Sequence, residues 1–424
     1  MEPAKPEIIQ AVHAYHALAG FGHALRRSPS GKHRSSFKTD RIDQFWSHSW
    51  HGSKFNKVLT AMYLNNGMRA VLVSSLTSLM MMILVFMGLI PELHPRPGLP
   101  GISWCLLTGF GIYLLVLFGW RPRHSIFLDM LCINQADEVE QVAGVLSMGA
   151  FLKCSDALLV LWDATYTRRL WCVFEMSAFL HSRPAGERPK LIIRPTILGP
   201  CLISLPTGFF AIIVAIGSLD WEELVEKTYI LFPLMGLCAS IGGYASIAAL
   251  RAYFGSVQLL QDELCNFTVL DSLCSCCSAR HMSKRGQPLP CDRKIVLQCI
   301  TEWFGSIEAF DAKVRTDVLE LLSEQLSSEI WTYTQCAGSA VPILWHLMDN
   351  ATTFFDHADM LHILWAVREL IRGLGWTLGV VPLVFFVGVS LAYALRRRRR
   401  WLCCSVLVNA FIVGVLVLVF VAAL

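Results

Sequence analysis

The sequence predicts two kinds of structure in one chain, a small α/β sheet and a set of membrane-spanning α-helices. Only 16% of its 424 residues are charged and 54% are hydrophobic, whereas a soluble protein of this size carries about 25% charged residues. Long apolar runs account for the difference, and the polar regions between them alternate strand-like and helix-like patterns, as α/β folds do. We therefore expect an α/β domain that is interrupted and followed by about six transmembrane helices.

The α/β domain is predicted to be split between residues 42–69 and 119–197. Strand-like runs alternate with segments that have apolar residues at helical spacing. The run at 156–162 is continuously apolar, as expected of a central parallel strand. The predicted strands are IDQFWSHS (42–49), SIFLDML (125–131), DALLVLW (156–162) and KLIIR (190–194). The predicted helices are SKFNKVLTAMYLNN (53–66), which Gly67 is expected to end, EVEQVAGVLSMGAFL (138–152) and TRRLWCVFEMSAFL (167–180). This alternation predicts a small doubly wound sheet.

Six uncharged apolar runs predict transmembrane helices, because a helix of about 20 residues crosses a hydrocarbon core of about 30 Å. Two of the runs, 102–118 and 229–250, are slightly short or rich in small residues. The six form a hairpin at 70–118, a second pair at 198–250 and a C-terminal pair at 374–424. The predicted protein is therefore integral to a lipid bilayer, and the sequence does not indicate which membrane that is.

Loop charges predict the orientation of these spans. Basic residues flank the second and third spans, whereas the loop at 220–227 is acidic. Positive charge favours the cytoplasmic side, so the α/β domain is expected in the cytosol. The 15 cysteines agree, because they show no secreted disulfide framework. Arg396–Arg400 would then face outward, unless the uncharged stretch 330–348 forms a seventh span.

Two further regions complete the predicted domain organisation. Residues 1–41 are expected to form a basic N-terminal arm, either near an anionic membrane surface or as a plain linker. A net charge of +4 without a binding motif argues against a nucleic-acid partner. Residues 251–373 are expected to form cytosolic amphipathic helices. Their CSCC cluster (274–277) favours lipidation or reduced thiols over zinc, on the expectation that no histidine completes a ligand set.

Three stretches carry a recognisable set of motifs: FWSHSW (45–50), FLDMLCINQ (127–135) and FLKCSDALLVLWDATYTRRLWCVFE (151–175). Their order resembles the Toll/interleukin-1/resistance (TIR) domain family. In that family an aromatic-x-Ser motif ends the first strand, an acidic residue ends the second, and a Tyr-x-x-Ser/Arg-x-Trp-Cys-x-x-Glu stretch follows the third. The matching residues here are Ser47, Asp129, Ser155, Tyr166, Trp171, Cys172 and Glu175. The resemblance implies a flavodoxin-like parallel sheet.

The TIR resemblance also implies a function, because the family contains signalling adaptors that self-associate and enzymes that cleave the nicotinamide–ribose bond of NAD. In the enzymes, the glutamate that matches Glu175 is catalytic. A carboxylate suits this chemistry, since loss of nicotinamide leaves an oxocarbenium-like centre. NAD would then be a substrate rather than a cofactor. The implied substrate-binding residues are Trp46, Ser47, Trp50, Asp129, Tyr166, Trp171 and Cys172.

Alternatives to this interpretation stay open. The inserted hairpin and the return to the membrane near residue 200 depart from the family pattern and leave little room for a fifth strand. In a non-catalytic adaptor, Trp171 and Cys172 would be core residues and Glu175 would face solvent or pair with Arg168 or Arg169. A channel or transporter is disfavoured, because Asn409 is the only strongly polar residue found in the six runs. A metal set drawn from His48, His51, Asp129 and Cys132 matches no defined motif.

Overall fold

The computed structural model describes residues 1–26, 35–50, 52–91, 104–134, 137–184, 189–217, 221–278, 280–281, 291–327, 331–353, 360–397 and 401–423. The chain forms two compact units, which are treated separately below. Unit 1 comprises Met1–Met62, Arg121–Gly199 and Ser256–Ile330. Unit 2 comprises Tyr63–Trp120, Pro200–Gly255 and Trp331–Leu424.

Unit 1 is built on a six-stranded mixed sheet with the order β2-β1-β4-β3-β5-β6. The strands are β1 (Gln10–His13), β2 (Phe37–Lys38), β3 (Ile42–His48), β4 (Ser125–Phe127), β5 (Ser155–Trp162) and β6 (Lys190–Pro195). Strands β4, β3, β5 and β6 are mutually parallel, and β1 is antiparallel to both β2 and β4. The four strands predicted from the sequence are therefore confirmed, although β4 is shorter than predicted.

The helices of the described residues are numbered in chain order. They are α1 (Ala14–Arg26), α2 (Lys54–Phe86), α3 (Trp104–Gly119), α4 (Asp129–Cys132), α5 (Glu138–Leu146), α6 (Met148–Lys153), α7 (Leu170–His181), α8 (Leu198–Gly217), α9 (Trp221–Cys265), α10 (Ser275–Ser278), α11 (Asp292–Phe304), α12 (Ile307–Lys313), α13 (Leu319–Ser327), α14 (Tyr333–Ser339), α15 (Val341–Thr353), α16 (Met360–Gly375), α17 (Val381–Ala394) and α18 (Leu402–Ala423).

Aromatic residues form the centre of the unit 1 core. Phe45 of β3 lies opposite Phe127 of β4 in the parallel register, with ring centroids 4.7 Å apart. Phe151 of α6 packs on Phe127 at 4.2 Å. All three side chains are at most 2% exposed. Burial of such rings is the main driving force for folding of a sheet of this kind, and it holds the carboxyl ends of β3 and β4 side by side.

The first 26 residues are not the free arm that the sequence predicted. Strand β1 joins the sheet beside β4, and its Ala11 and Val12 are completely buried. The segment was misjudged because only two of its strand residues are buried, which is too short a run for a periodic signal. Residues 27–34 of the predicted arm lie outside the described part of the chain.

Helix α2 is longer than predicted. Gly67 was expected to end it, but the helix continues to Phe86. A single interior glycine costs a helix only about 1 kcal/mol, and the apolar residues that follow are good helix formers. The helix ends instead just before Gly88, whose φ of +67° is the left-handed conformation typical of helix C-termini.

Four helices in the described residues are long and apolar enough to cross a membrane: Lys54–Phe86, Leu198–Gly217, Met360–Ala394 and Cys403–Ala422. Helix α3 is apolar but has only 16 residues. The predicted span 229–250 lies within α9, where the side chains of residues 221–242 are outside the described set. The candidate seventh span forms two helices, α14 and α15, that meet at Ala340. The count of six spans stays a prediction.

The region 251–373 was predicted as one helical segment, but it divides between the units: residues 256–330 belong to unit 1, and residues 251–255 and 331–373 belong to unit 2. Unit 2 also buries Arg251 and Asp349, two charged residues that the sequence analysis overlooked. The Arg251 guanidinium donates to Asn409 Oδ1 at 2.5 Å, and Asp349 accepts from the backbone N–H groups of Cys105 and Leu106 at 2.8 and 2.9 Å. Asp349 thereby satisfies unpaired donors in the first turn of α3.

Candidate functional site

The predicted site residues meet at the carboxyl ends of the parallel strands. Ser47 is the penultimate residue of β3, Asp129 lies two residues after β4, and Tyr166 lies four residues after β5. This edge of a parallel sheet is where α/β proteins bind ligands. A cavity of about 200 Å³ opens there. Seven of the eight predicted residues line it: Trp46, Ser47, Trp50, Asp129, Trp171, Cys172 and Glu175. Tyr166 is completely buried behind Ser47.

Helix α7 presents Glu175 to the cavity. The helix begins at Leu170, immediately after an extended residue, Arg169. Residues three and four apart lie on one helix face, so Trp171 and Cys172 share the face of Glu175. All three side chains line the cavity. The spacing of the Trp-Cys-x-x-Glu motif thus explains why these three residue types meet.

A chain of hydrogen bonds fixes the Glu175 carboxyl group. Ser47 Oγ lies 2.5 Å from Glu175 Oε2 and 2.5 Å from the Tyr166 hydroxyl. A serine hydroxyl has one hydrogen to donate. Ser47 therefore donates to Glu175 and accepts from Tyr166. Because Ser47 and Tyr166 are buried at 1% and 0% exposure, this arrangement is rigid and excludes water from behind the carboxyl group.

Two of the three carboxyl groups that line the cavity, those of Glu175 and Asp129, have different acidities. Burial raises the pKa of Glu175 from 4.5 to about 8, and the nearby Asp129 charge raises it further, while the Ser47 hydrogen bond opposes both. Burial raises the pKa of Asp129 to about 6, against hydrogen bonds from the Met130 N–H and the Trp50 indole. At pH 7 most Asp129 is therefore ionised and most Glu175 is protonated. Carboxyl groups whose environments separate their pKa values in this way are typical of acid–base sites.

No family model, no curated protein and no solved structure matches this chain. The site is therefore interpreted from its own chemistry and from the resemblance of its motifs.

Two predictions about the alternative adaptor arrangement are corrected. Glu175 is half-buried in the cavity wall rather than on the outer surface, and it does not pair with Arg168, which pairs with Glu263. Trp171 is half-buried rather than a core residue, and its Nε1 donates to Asp292 Oδ2 at 3.4 Å. Cys172 is buried as that arrangement expected, and burial raises the pKa of its thiol well above the ordinary value.

His48 is a site residue that the sequence analysis set aside. Its ring lines the cavity, is only 8% exposed and packs edge-on against Trp50 at 4.6 Å. Burial, together with the nearby Lys57 charge, lowers the pKa of His48 to about 3, so the imidazole is neutral. Its Nε2 makes no hydrogen bond within the described residues. A polar atom in this position is available to a ligand in the cavity.

The metal set considered in the sequence analysis does not form in the described residues. Cys132 Sγ points back to the carbonyl of Ile126 at 3.7 Å. His51 lies outside the described residues. The groups of potential ligands that the structure does bring together are elsewhere in unit 1.

Distant residues complete the cavity wall, and the sequence analysis missed them. Leu273 and Asp292 both line the cavity. The Leu273 N–H donates to the Arg168 carbonyl at 2.7 Å, and the Leu170 N–H donates to the Leu273 carbonyl at 3.1 Å. Asp292 is 121 residues from Trp171 in sequence, so no local pattern could have placed it there.

Proposed function

We propose that unit 1 is a TIR-like domain that hydrolyses the nicotinamide–ribose bond of NAD, within a membrane-anchored signalling protein that self-associates through this domain. The observation that carries the proposal is the Glu175 carboxyl group. It lines a cavity at the carboxyl ends of parallel strands and is held there by Ser47 and Tyr166.

The strand order supports a flavodoxin-like, TIR-like assignment. The four parallel strands lie in the order β4-β3-β5-β6. In chain order these are the second, first, third and fourth parallel strands, which is the 2-1-3-4 arrangement of flavodoxin-like sheets. Strands β1 and β2 extend the sheet beyond β4, at the edge far from β6. They leave the proposed catalytic edge unobstructed.

The proposed reaction consumes NAD and water and yields ADP-ribose, nicotinamide and a proton. The C–N bond breaks, its electron pair goes to the nicotinamide nitrogen, and neutral nicotinamide leaves. The ionised Glu175 stabilises the positive charge on the ribose carbon until water adds. Asp129, ionised at pH 7, is placed to accept the proton that the water loses. Because the nicotinamide ring of NAD is cationic, its binding favours the ionised form of Glu175.

The cavity dimensions indicate which end of NAD it would hold. A volume of about 200 Å³ is below the 300–1,000 Å³ typical of sites for whole drug-sized ligands. It suits the nicotinamide and ribose, with the adenosine diphosphate part extending outside. Trp50 and Trp171, which are half-buried in the wall, are better placed to stack on a ring than Trp46, which is 2% exposed and donates to Gln44. The free Nε2 of His48 suits the carboxamide.

A non-catalytic adaptor is the alternative function. The raised pKa of Glu175 and its hydrogen bond from Ser47 are also what a neutral, structural carboxyl group would show.

A channel or transporter is a second alternative, and buried Arg251 and Asp349 in unit 2 favour it. However, both are already hydrogen-bonded within the protein, which suits helix packing better than an ion pathway.

Nicotinamide release by the purified full-length protein in detergent tests the proposal, measured by chromatography under dilute and clustering conditions. Wild type should release nicotinamide, and Glu175→Gln or Glu175→Ala should lower kcat by about 100- to 1,000-fold. Glu308→Gln is the matched control, because Glu308 is a glutamate of the same unit that lies outside the cavity. Absence of nicotinamide release from wild type would reject NAD hydrolysis, and full activity of Glu175→Ala would reject the catalytic role of Glu175.

A further inference from the structure

A second cluster of reactive side chains lies in unit 1, apart from the proposed catalytic carboxyl group. It comprises Cys276, Cys277, His281 and Cys291. One ligand atom from each residue lies within 4.8 Å of the ligand atoms of the other three. Three sulfur atoms and one imidazole nitrogen are a ligand set that binds zinc in structural sites.

The distances between the sulfur atoms suit a tetrahedral metal. Cys277 Sγ lies 4.0 Å from both Cys276 Sγ and Cys291 Sγ. Two sulfurs bound to one zinc ion at about 2.3 Å in tetrahedral geometry are about 3.8 Å apart. A disulfide would require a separation of about 2.0 Å. The cluster is thus close to zinc geometry and far from disulfide geometry.

The backbone brings His281 onto the two adjacent cysteines. Arg280 and His281 have φ values of +53° and +57°, a conformation that residues other than glycine rarely adopt. This turn lets the His281 N–H donate to the Cys276 carbonyl at 2.8 Å. The Nδ1 atom of His281 is buried and has no hydrogen-bond partner in the described part of the chain. Both features are unfavourable without a compensating interaction, which a bound metal ion would supply.

The charge around the cluster also suits a metal. Three thiolates and one Zn²⁺ carry a net charge of −1. Arg293 is hydrogen-bonded to Cys277 and also donates to the Leu270 carbonyl at 2.6 Å. It therefore places a positive charge beside the sulfur atoms and holds the preceding loop. Outer hydrogen-bond partners of this kind orient metal ligands and strengthen binding.

We propose that Cys276, Cys277, His281 and Cys291 bind one zinc ion in a closed, structural tetrahedral site. The ion would join the segment around α10 to the start of α11. Those two elements supply Leu273 and Asp292 to the cavity wall, so the zinc would stabilise one side of the cavity without taking part in chemistry there. The proposal does not depend on NAD hydrolysis.

This proposal differs from the sequence-based preference for lipidation or free thiols. That preference assumed that no histidine completes a ligand set, but His281 follows Cys277 by only four residues. Cys291, 14 residues after Cys277, is the third cysteine of the set and was not considered in the sequence analysis.

Metal analysis of the full-length protein tests the site. The protein is purified in detergent with a thiol reductant, supplemented with zinc, desalted and measured by mass spectrometry of the elements. We expect one zinc per chain. Removing a residue that only hydrogen-bonds a metal ligand lowers metal affinity about 10- to 100-fold. Removing a ligand itself should cost at least the upper end of that range. Zinc binding should therefore weaken at least about 100-fold in each of Cys277→Ser, His281→Asn and Cys291→Ser. Cys299→Ser, a half-buried cysteine of α11 outside the cluster, should keep one zinc.

Spectroscopy of the wild type identifies the metal ligands even where a variant fails to fold. Cobalt in place of zinc should show tetrahedral bands with thiolate charge transfer, and X-ray absorption should count three sulfurs and one nitrogen. A neighbouring group, Cys274, Cys276 and Asp292, offers a different ligand set. Zinc lost in Cys274→Ser but kept in His281→Asn would overturn the proposal in favour of that set. Zinc-free wild type, six-coordinate cobalt, or an acyl chain on Cys276 or Cys277 would also overturn it.

Discussion

Ionisation of Glu175 should control the pH dependence of NAD cleavage. Burial raises the pKa of this carboxyl group from 4.5 to about 8, which disfavours the charged form by about 5 kcal/mol relative to water. The proposed reaction uses that charged form. With a pKa of about 8, about 10% of Glu175 is ionised at pH 7 and about 1% at pH 6. The ratio kcat/KM should therefore rise about tenfold per pH unit up to about pH 8 and then level off.

The profile is measured as initial rates of nicotinamide release at low NAD between pH 5.5 and 9.5, because kcat/KM reports the free enzyme. Two variants should move its midpoint in opposite directions. Asp129→Asn removes the charge that raises the Glu175 pKa, so the midpoint should fall. Ser47→Ala removes the hydrogen bond that lowers this pKa, so the midpoint should rise. Glu308→Gln should leave the midpoint where it is.

Two results would refute this reasoning in different ways. A profile that stays level between pH 6 and 8, or variants that leave the midpoint unmoved, would show that Glu175 ionisation does not limit the reaction. A complete lack of nicotinamide release at every pH, under both dilute and clustering conditions, would reject NAD hydrolysis itself.

Four further outcomes are expected. Glu175→Gln should stabilise unit 1 at pH 7.5 but not at pH 4. The Glu175 carboxyl group ionises near pH 4.5 in the unfolded chain but only near pH 8 in the folded protein, so the wild type loses stability as the pH rises between these two values. Thermal unfolding at the two pH values measures this, and an equal effect at both would contradict it. Trp171→Ala should destabilise the protein by about 1–2 kcal/mol rather than the 3–5 kcal/mol of a fully buried tryptophan, because it loses one hydrogen bond and one edge-on contact with Phe174. Tyr166→Phe should cost about 1 kcal/mol in thermal unfolding, since only the bond to Ser47 is lost. Asn266 and Asn350 each begin an Asn-x-Thr glycosylation sequon, and both should stay unmodified in a secretory-pathway expression system if there are six spans. A glycan at Asn350 alone would indicate seven spans, and a glycan at Asn266 would reverse the predicted orientation.

Local sequence patterns were sufficient for the parallel part of the sheet and for the face of α7. β5 is a nearly continuous apolar run, and the structure buries it beside the strand-like run of β3 as a parallel neighbour. The three-residue spacing of Cys172 and Glu175 predicts that they share a helix face, and both line the cavity. Periodicity is a property of adjacent residues, so it can be read without knowing the fold.

Contacts between distant residues decided the rest. Strand β1 joins the sheet through pairing with β4, more than 100 residues away, as His13 opposite Ser125 shows. Asp292 likewise reaches Trp171 because α11 packs on α7, and Cys291 reaches Cys277 because α11 packs on α10. The pKa of Glu175 depends on how completely the surrounding protein removes water from it. Burial of this kind is a property of the assembled fold rather than of any segment, so only the tertiary structure could determine it.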